Sequence, residues 1–168
     1  MTPRIRAPSR KLEQFEELVY EYSNGTYDKD VKWDIDTRAC NLRFESATRG
    51  PPARVSFLFK VSPGMCNLFG SLHGGCAATL IDNLSTTILM GVSKPGYFSI
   101  GGVSRNLRVT YLRPVPLDTE ARLVCEVVQV GRRLAFLKAE ISRVDNGDLC
   151  IVGEHEKVNT DPSTGRKL

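Results

Sequence analysis

Asn67, His73, Gly74, Gly75 and Asp82 lie in one short stretch, and their types and spacing suit chemistry at an acyl carbonyl. An amide side chain leads into His73-Gly74-Gly75, where an apolar helical pattern begins, and one acid follows nine residues after the histidine. Glycines at a helix start leave backbone N–H groups uncovered, so a carbonyl oxygen or oxyanion can approach them and meet the positive end of the helix dipole. Asn67 and those N–H groups could polarise a carbonyl, and Asp82 could drive the attack on it. A carboxylate buried in an apolar helix is costly without partners, which marks Asp82 as more than a packing residue.

The helix that must carry these groups runs from about Gly74 to Gly91. Ala77, Leu80, Ile81, Leu84 and Ile88 recur on it at helical spacing, and it is apolar over more than one face. At 1.5 Å per residue, Gly74 and Asp82 stand about 12 Å apart along the axis. Both cannot touch one carbonyl carbon, so a catalytic Asp82 would serve the Gly74 of a second, antiparallel subunit, giving a two-fold dimer with two equivalent sites.

Around that helix the pattern is mostly strand. Arg54 to Val61 alternates through Val55, Phe57, Phe59 and Val61. Further strands are expected over Ser99–Leu112, Thr119–Val130, Leu134–Val144 and Leu149–Val158. Gly131-Arg132 forms one tight connection, and Asn146-Gly147 is a hairpin signal. An N-terminal helix is expected from Ser9 as N-cap, with Leu12, Phe15, Leu18, Val19 and Tyr22 on one face and Asn24-Gly25 at its end. Residues 32–46 hold one short strand. The layout is α+β, one long central helix wrapped by a curved antiparallel sheet of five to six strands. The expected division is an N-terminal extension over 1–50, the main domain over 51–160 and a tail over 161–168.

Composition narrows the function classes. Hydrophobic residues at 41% and charged residues at 25% are ordinary globular values. No run approaches the roughly 18 apolar residues of a membrane span. The 23 basic and 19 acidic residues give a net charge of +4, too dispersed to indicate nucleic acid but suited to an anionic small molecule. The five cysteines, Cys40, Cys66, Cys76, Cys125 and Cys150, are scattered without a Cys-x-x-Cys pair, so neither a metal nor another cofactor is expected. The cytoplasm is the default location. A transit-like start (Arg4, Arg6, Arg10 and Lys11 ahead of Glu13) admits a mitochondrial reading, and the closing Arg-Lys-Leu shares two letters with the peroxisomal Ser-Lys-Leu signal.

The string Asn67-x-x-Gly-x-Leu-His-Gly-Gly, followed by Asp82 and later by Gly102-Val103-Ser104 and Val109-Thr-Tyr-Leu-Arg-Pro114, resembles the hotdog-fold acyl-CoA thioesterases. The branch in question includes PaaI and the small eukaryotic thioesterase superfamily members, and the likeness covers roughly residues 55–158. It implies that Asn67 and the Gly74 N–H contact the thioester carbonyl, that Asp82 is general base or nucleophile, and that Ser104 holds the attacking water. His73 would orient its neighbours. It also implies an acyl-CoA substrate, a homodimer or dimer of dimers, and CoA contacts for which Gly75, Arg132, Arg133 and Lys157 are candidates, with Arg105, Arg108 and Arg113 beyond them. Arg105-Asn106 after Ser104 departs from relatives that often carry an acid there.

Two other functions compete. Hotdog hydratases pair a His with a Glu fourteen residues on, or an Asp with a His five residues on; Thr87 occupies the second position in both tests, so both patterns are absent. A non-catalytic acyl-CoA-binding or scaffold hotdog would have no need to retain Asn67, Gly74, Asp82 and Ser104 together.

Overall fold

The computed structural model describes residues 5–24 and 40–162. The expectations for Arg4, Gly25, residues 32–39 and residues 163–168 lie outside the described residues. The elements follow as α1 (Gln14–Ser23), β1 (Arg43–Thr48), β2 (Arg54–Lys60), α2 (Gly74–Gly91), β3 (Val103–Tyr111), β4 (Glu120–Val130), β5 (Leu134–Arg143) and β6 (Leu149–Val158), with a 3₁₀ turn at Pro63–Met65. The strands form one antiparallel sheet in the order β1-β2-β4-β5-β6-β3. This is the hotdog layout, with α2 as the long helix against the sheet. The boundary expected at residue 50 falls between two paired strands, because β1 is hydrogen-bonded to β2.

Helix α2 buries Ala77, Leu80, Ile81, Leu84 and Ile88 as its spacing predicts, and also Ser85, Thr87, Leu89 and Gly91. Each fully buried Leu or Ile contributes about 1.5–3 kcal/mol, so this helix anchors the core. Phe57, Phe59, Leu123, Leu137 and Ile141 meet it from alternate positions of β2, β4 and β5. The same period of two on β6 turns Ile151, Gly153, His155 and Lys157 inward. Two polar residues thus lie on a face built for apolar ones.

Helix α1 begins at Gln14, not after Ser9. Glu13 is its N-cap, in a reciprocal capping box with Glu16. Arg10 makes two charge-assisted hydrogen bonds to Glu16, at 2.8 and 2.7 Å, and holds that carboxyl down to about pKa 2. Residues 9–13 thus stay outside the helix, with Arg10 tied to its first turn. The helix lies across α2 at Gly91, where a Cβ would fall 2.6 Å from a methyl of the fully buried Val19. Only glycine permits that approach, and it carries Tyr22 to the edge of the cavity beside Asp82. Gly91→Leu is expected to lower stability by about 1–3 kcal/mol, read from the urea unfolding midpoint. An unchanged midpoint would mean that α1 does not dock there in solution.

Candidate functional site

The start of α2 is capped by His73, whose Nδ1 accepts the Gly75 N–H at 3.0 Å. This engagement places His73 in a structural bond and occupies the Gly75 amide, so Gly75 serves the cap instead of presenting an N–H to substrate. The Gly74 N–H has no hydrogen-bond partner among the described residues. Tyr111, at the end of β3, donates its hydroxyl to the Gly74 carbonyl at 2.8 Å. A Cβ at Gly74 would come 3.0 Å from that phenol ring, so glycine is what lets the tyrosine close over the helix start. Burial pushes the Tyr111 phenol up, keeping it a donor.

Asn67 sits in a loop that it organises itself. Its Oδ1 accepts the N–H groups of Phe69 at 2.9 Å and Ser71 at 3.2 Å, while its own N–H donates to the Ser71 carbonyl at 2.8 Å. With the oxygen held this way, the Nδ2 group is left as a donor without a partner among the described residues. Asn67, Gly74 and Tyr111 line one cavity of about 320 Å³.

Asp82 lies elsewhere, in a cavity of about 600 Å³ with Ser104, Thr86, Met90, Ile100, Lys157 and Tyr22. Its side chain is 40% exposed in the chain, whereas the sequence led to a buried carboxylate. Ser104 donates to Asp82 Oδ1 at 2.7 Å. His155 Nε2 lies 2.9 Å from the Ser104 oxygen and 3.2 Å from Asp82 Oδ1, and its Nδ1 lies 2.8 Å from the Ser85 hydroxyl. One proton arrangement satisfies all four groups. Neutral His155 carries its proton on Nε2 and donates to Ser104 and Asp82, and Nδ1 accepts from Ser85. Asp82 Oδ2 remains without a partner among the described residues.

His155 is the site residue that sequence reading missed. It stands 82 positions from His73 in no motif, but the alternation Ile151, Gly153, His155, Lys157 was a usable signal that it faces the helix. Desolvation, with Lys157 nearby, pushes its pKa down to about 4, against the partial pull of Asp82 upward. A β-bulge between Ser104 and Asn106 lets Ser104 meet this group at the otherwise exposed start of β3.

The remaining candidates separate. Lys157 was expected in a surface cluster for phosphate, but inward-facing β6 geometry makes it only 4% exposed, with Nζ donating to Thr86 Oγ1 at 2.9 Å. Arg132 and Arg133 are exposed at the β4–β5 turn, and Arg133 shares a cavity of about 490 Å³ with Arg105. Arg105 and Arg108 face Glu156 and Glu154 at 3.8 and 3.9 Å.

A human acyl-coenzyme A thioesterase 13 is 33% identical over 106 residues, covering 63% of this chain and 73% of that protein. The thioesterase superfamily model matches residues 69–150. The chain belongs to the thioesterase superfamily. It is a thioester hydrolase by that membership, with a hotdog fold. Zebrafish thioesterase superfamily member 2 superposes with a TM-score of 0.69 at 27% identity, covering 90% of this chain and 99% of that one. The Escherichia coli PaaI protein shares the fold alone, with a TM-score of 0.62 at 16% identity, covering 75% of this chain and 84% of that one.

In this thioesterase the neutral His155 carries a stability signature. Its folded pKa lies below the unfolded value, so its contribution is complete above pH 6.5 and falls as pH drops towards 4. The total is on the order of 3 kcal/mol. Urea midpoints of the wild type should fall more steeply across that window than those of His155→Asn. Parallel slopes would show that His155 is charged in the fold.

Proposed function

We propose that this protein hydrolyses acyl-CoA thioesters to the free acid and CoA at sites assembled from two subunits. The observation that carries the reading is the split of the machinery: the cavity with Asn67 and Gly74 shares no lining residue with the cavity holding Asp82 and Ser104. Both cavities border β3, Ser104 near its start and Tyr111 at its end, and β3 is an edge strand whose outer side has no partner among the described residues. Antiparallel pairing of two β3 strands about a point between Leu107 and Arg108 would set Ser104 opposite the partner's Tyr111. The Gly74 bonded to that tyrosine would then approach Asp82. The name of the human relative supports acyl-CoA as the substrate class.

In the assembled site the thioester oxygen would take hydrogen bonds from the Gly74 N–H and the Asn67 Nδ2, at the positive end of α2. Those donors gain strength as charge develops on the oxygen, and each is worth about 3–4 kcal/mol in comparable oxyanion holes. Asp82 of the other subunit, with Oδ1 fixed by Ser104 and His155, would use Oδ2 to take a proton from water or to attack directly. After accepting from His155, the Ser104 oxygen keeps a lone pair for the second hydrogen of that water. The CoA thiolate is a good leaving group and needs no strong general acid. Arg132 and Arg133, with Arg105, are the proposed phosphate contacts, and the assembly is a dimer or a dimer of dimers.

Asn67→Asp keeps the loop acceptor and removes the donor; Asp82→Asn removes the base. Each alone should lower kcat by about 10²–10³-fold or more in a free-thiol release assay. Mixed and refolded together, they should recover about a quarter of wild-type activity, since half the molecules are heterodimers with one intact site. No recovery, with heterodimers present by native mass spectrometry, would rule out a shared site.

A further inference from the structure

The cavity beside Asp82 is more polar than an unsubstituted hydrocarbon chain calls for. Lys157 lines it, almost wholly buried, with its one described hydrogen bond to Thr86 Oγ1. An ammonium has three N–H donors, so two are left over without a partner among the described residues. Thr86 gives its own hydrogen to the Asp82 carbonyl at 2.8 Å and can offer Lys157 nothing more than its oxygen. Keeping a cation buried and underbonded is costly, and a ligand acceptor would remove that cost.

The position of Lys157 says where on the ligand that acceptor lies. Across the β3–β6 register Lys157 stands opposite Ser104, the residue bonded to Asp82. Asp82, Thr86 and Met90 succeed one another on successive turns of α2 along the cavity, with Ile100 and Tyr22 also in its lining. An acyl chain leaving the carbonyl would pass Thr86 and Lys157 first and reach Met90 later, at about 6 Å per four residues. The charged group therefore meets the chain close to the thioester.

We propose that Lys157 selects acyl groups carrying a hydroxyl or oxo oxygen on the second carbon beyond the carbonyl, the 3-hydroxyacyl and 3-oxoacyl thioesters. This rests on the thioesterase reading and names its substrate class. Lys157 donates the hydrogen bond, Thr86 holds the ammonium in place, and the apolar stretch near Met90 and Ile100 takes the rest of the chain.

The test compares kcat/KM for octanoyl-CoA, 3-hydroxyoctanoyl-CoA and 3-oxooctanoyl-CoA, matched in length. The wild type should favour the oxygenated pair by about tenfold, one hydrogen bond's worth. Lys157→Met should bring that ratio near one, and Lys157→Arg should retain part of it. A wild-type ratio of one overturns the proposal without any variant. So does a ratio that survives Lys157→Met, or an equal fall on all three substrates, which would make Lys157 a support for Asp82 only. Absence of turnover on every acyl-CoA would instead overturn the thioesterase reading, and this proposal with it.

Discussion

An α-helix advances 1.5 Å per residue, and no side-chain rotamer of aspartate spans the roughly 12 Å between Gly74 and Asp82 on α2. The helix cannot bend to relieve this, because it is packed against five strands of the sheet. The polarising end and the basic end of the proposed machinery are therefore held apart by the central helix. On the proposed mechanism the chain supplies two half-sites at fixed separation. Tyr111 locks the carbonyl of Gly74, and Ser104 with His155 locks one oxygen of Asp82.

The Asp82 half-site depends on His155 being neutral. A protonated ring would turn Ser85 from donor to acceptor at Nδ1 and would hold Asp82 in a tight ion pair. Burial of the ring, with the Lys157 cation two residues away, favours the neutral form. Cation and histidine thus divide the labour. Lys157 keeps positive charge near the carboxylate, while His155 supplies a directed N–H and no charge. Lys157 feels the same burial, which pushes its own pKa down while Asp82 pulls it back up.

Helix α2 is legible to the residue in the sequence because nine buried positions impose one unbroken helical pattern between two glycines. The Asn67–Asp82 motif is legible for the same reason, since its residues are local in the chain. The start of α1 is misread because Glu13 and Glu16 form a cap that a Ser-based rule overlooks, with Arg10 held on Glu16. His155, and the buried setting of Lys157, escape because their partners, Ser104, Ser85 and Thr86, lie 51 to 71 residues away. Contacts at that separation come from the pairing of β3 with β6, which no local pattern states. The alternation on β6 reveals which way those side chains face, but not what they face.

Strand β3 poses a second problem with the same solution. It ends the sheet with open backbone donors and acceptors, and Val103 and Tyr111 on it are about half exposed. Leu68 and Phe69 are almost fully exposed in the loop that Asn67 holds rigid, so their exposure is not the result of a floppy tip. An edge of this kind, with apolar residues close by, invites association unless it is covered. The proposed two-fold pairing of β3 would cover the edge strand and complete both half-sites in one step. On that proposal, activity would be tied to the state in which the sheet edge is covered. In the unpaired chain Asp82, the proposed base, lies at an open, 40% exposed rim, where water would screen the charges the proposed catalysis needs.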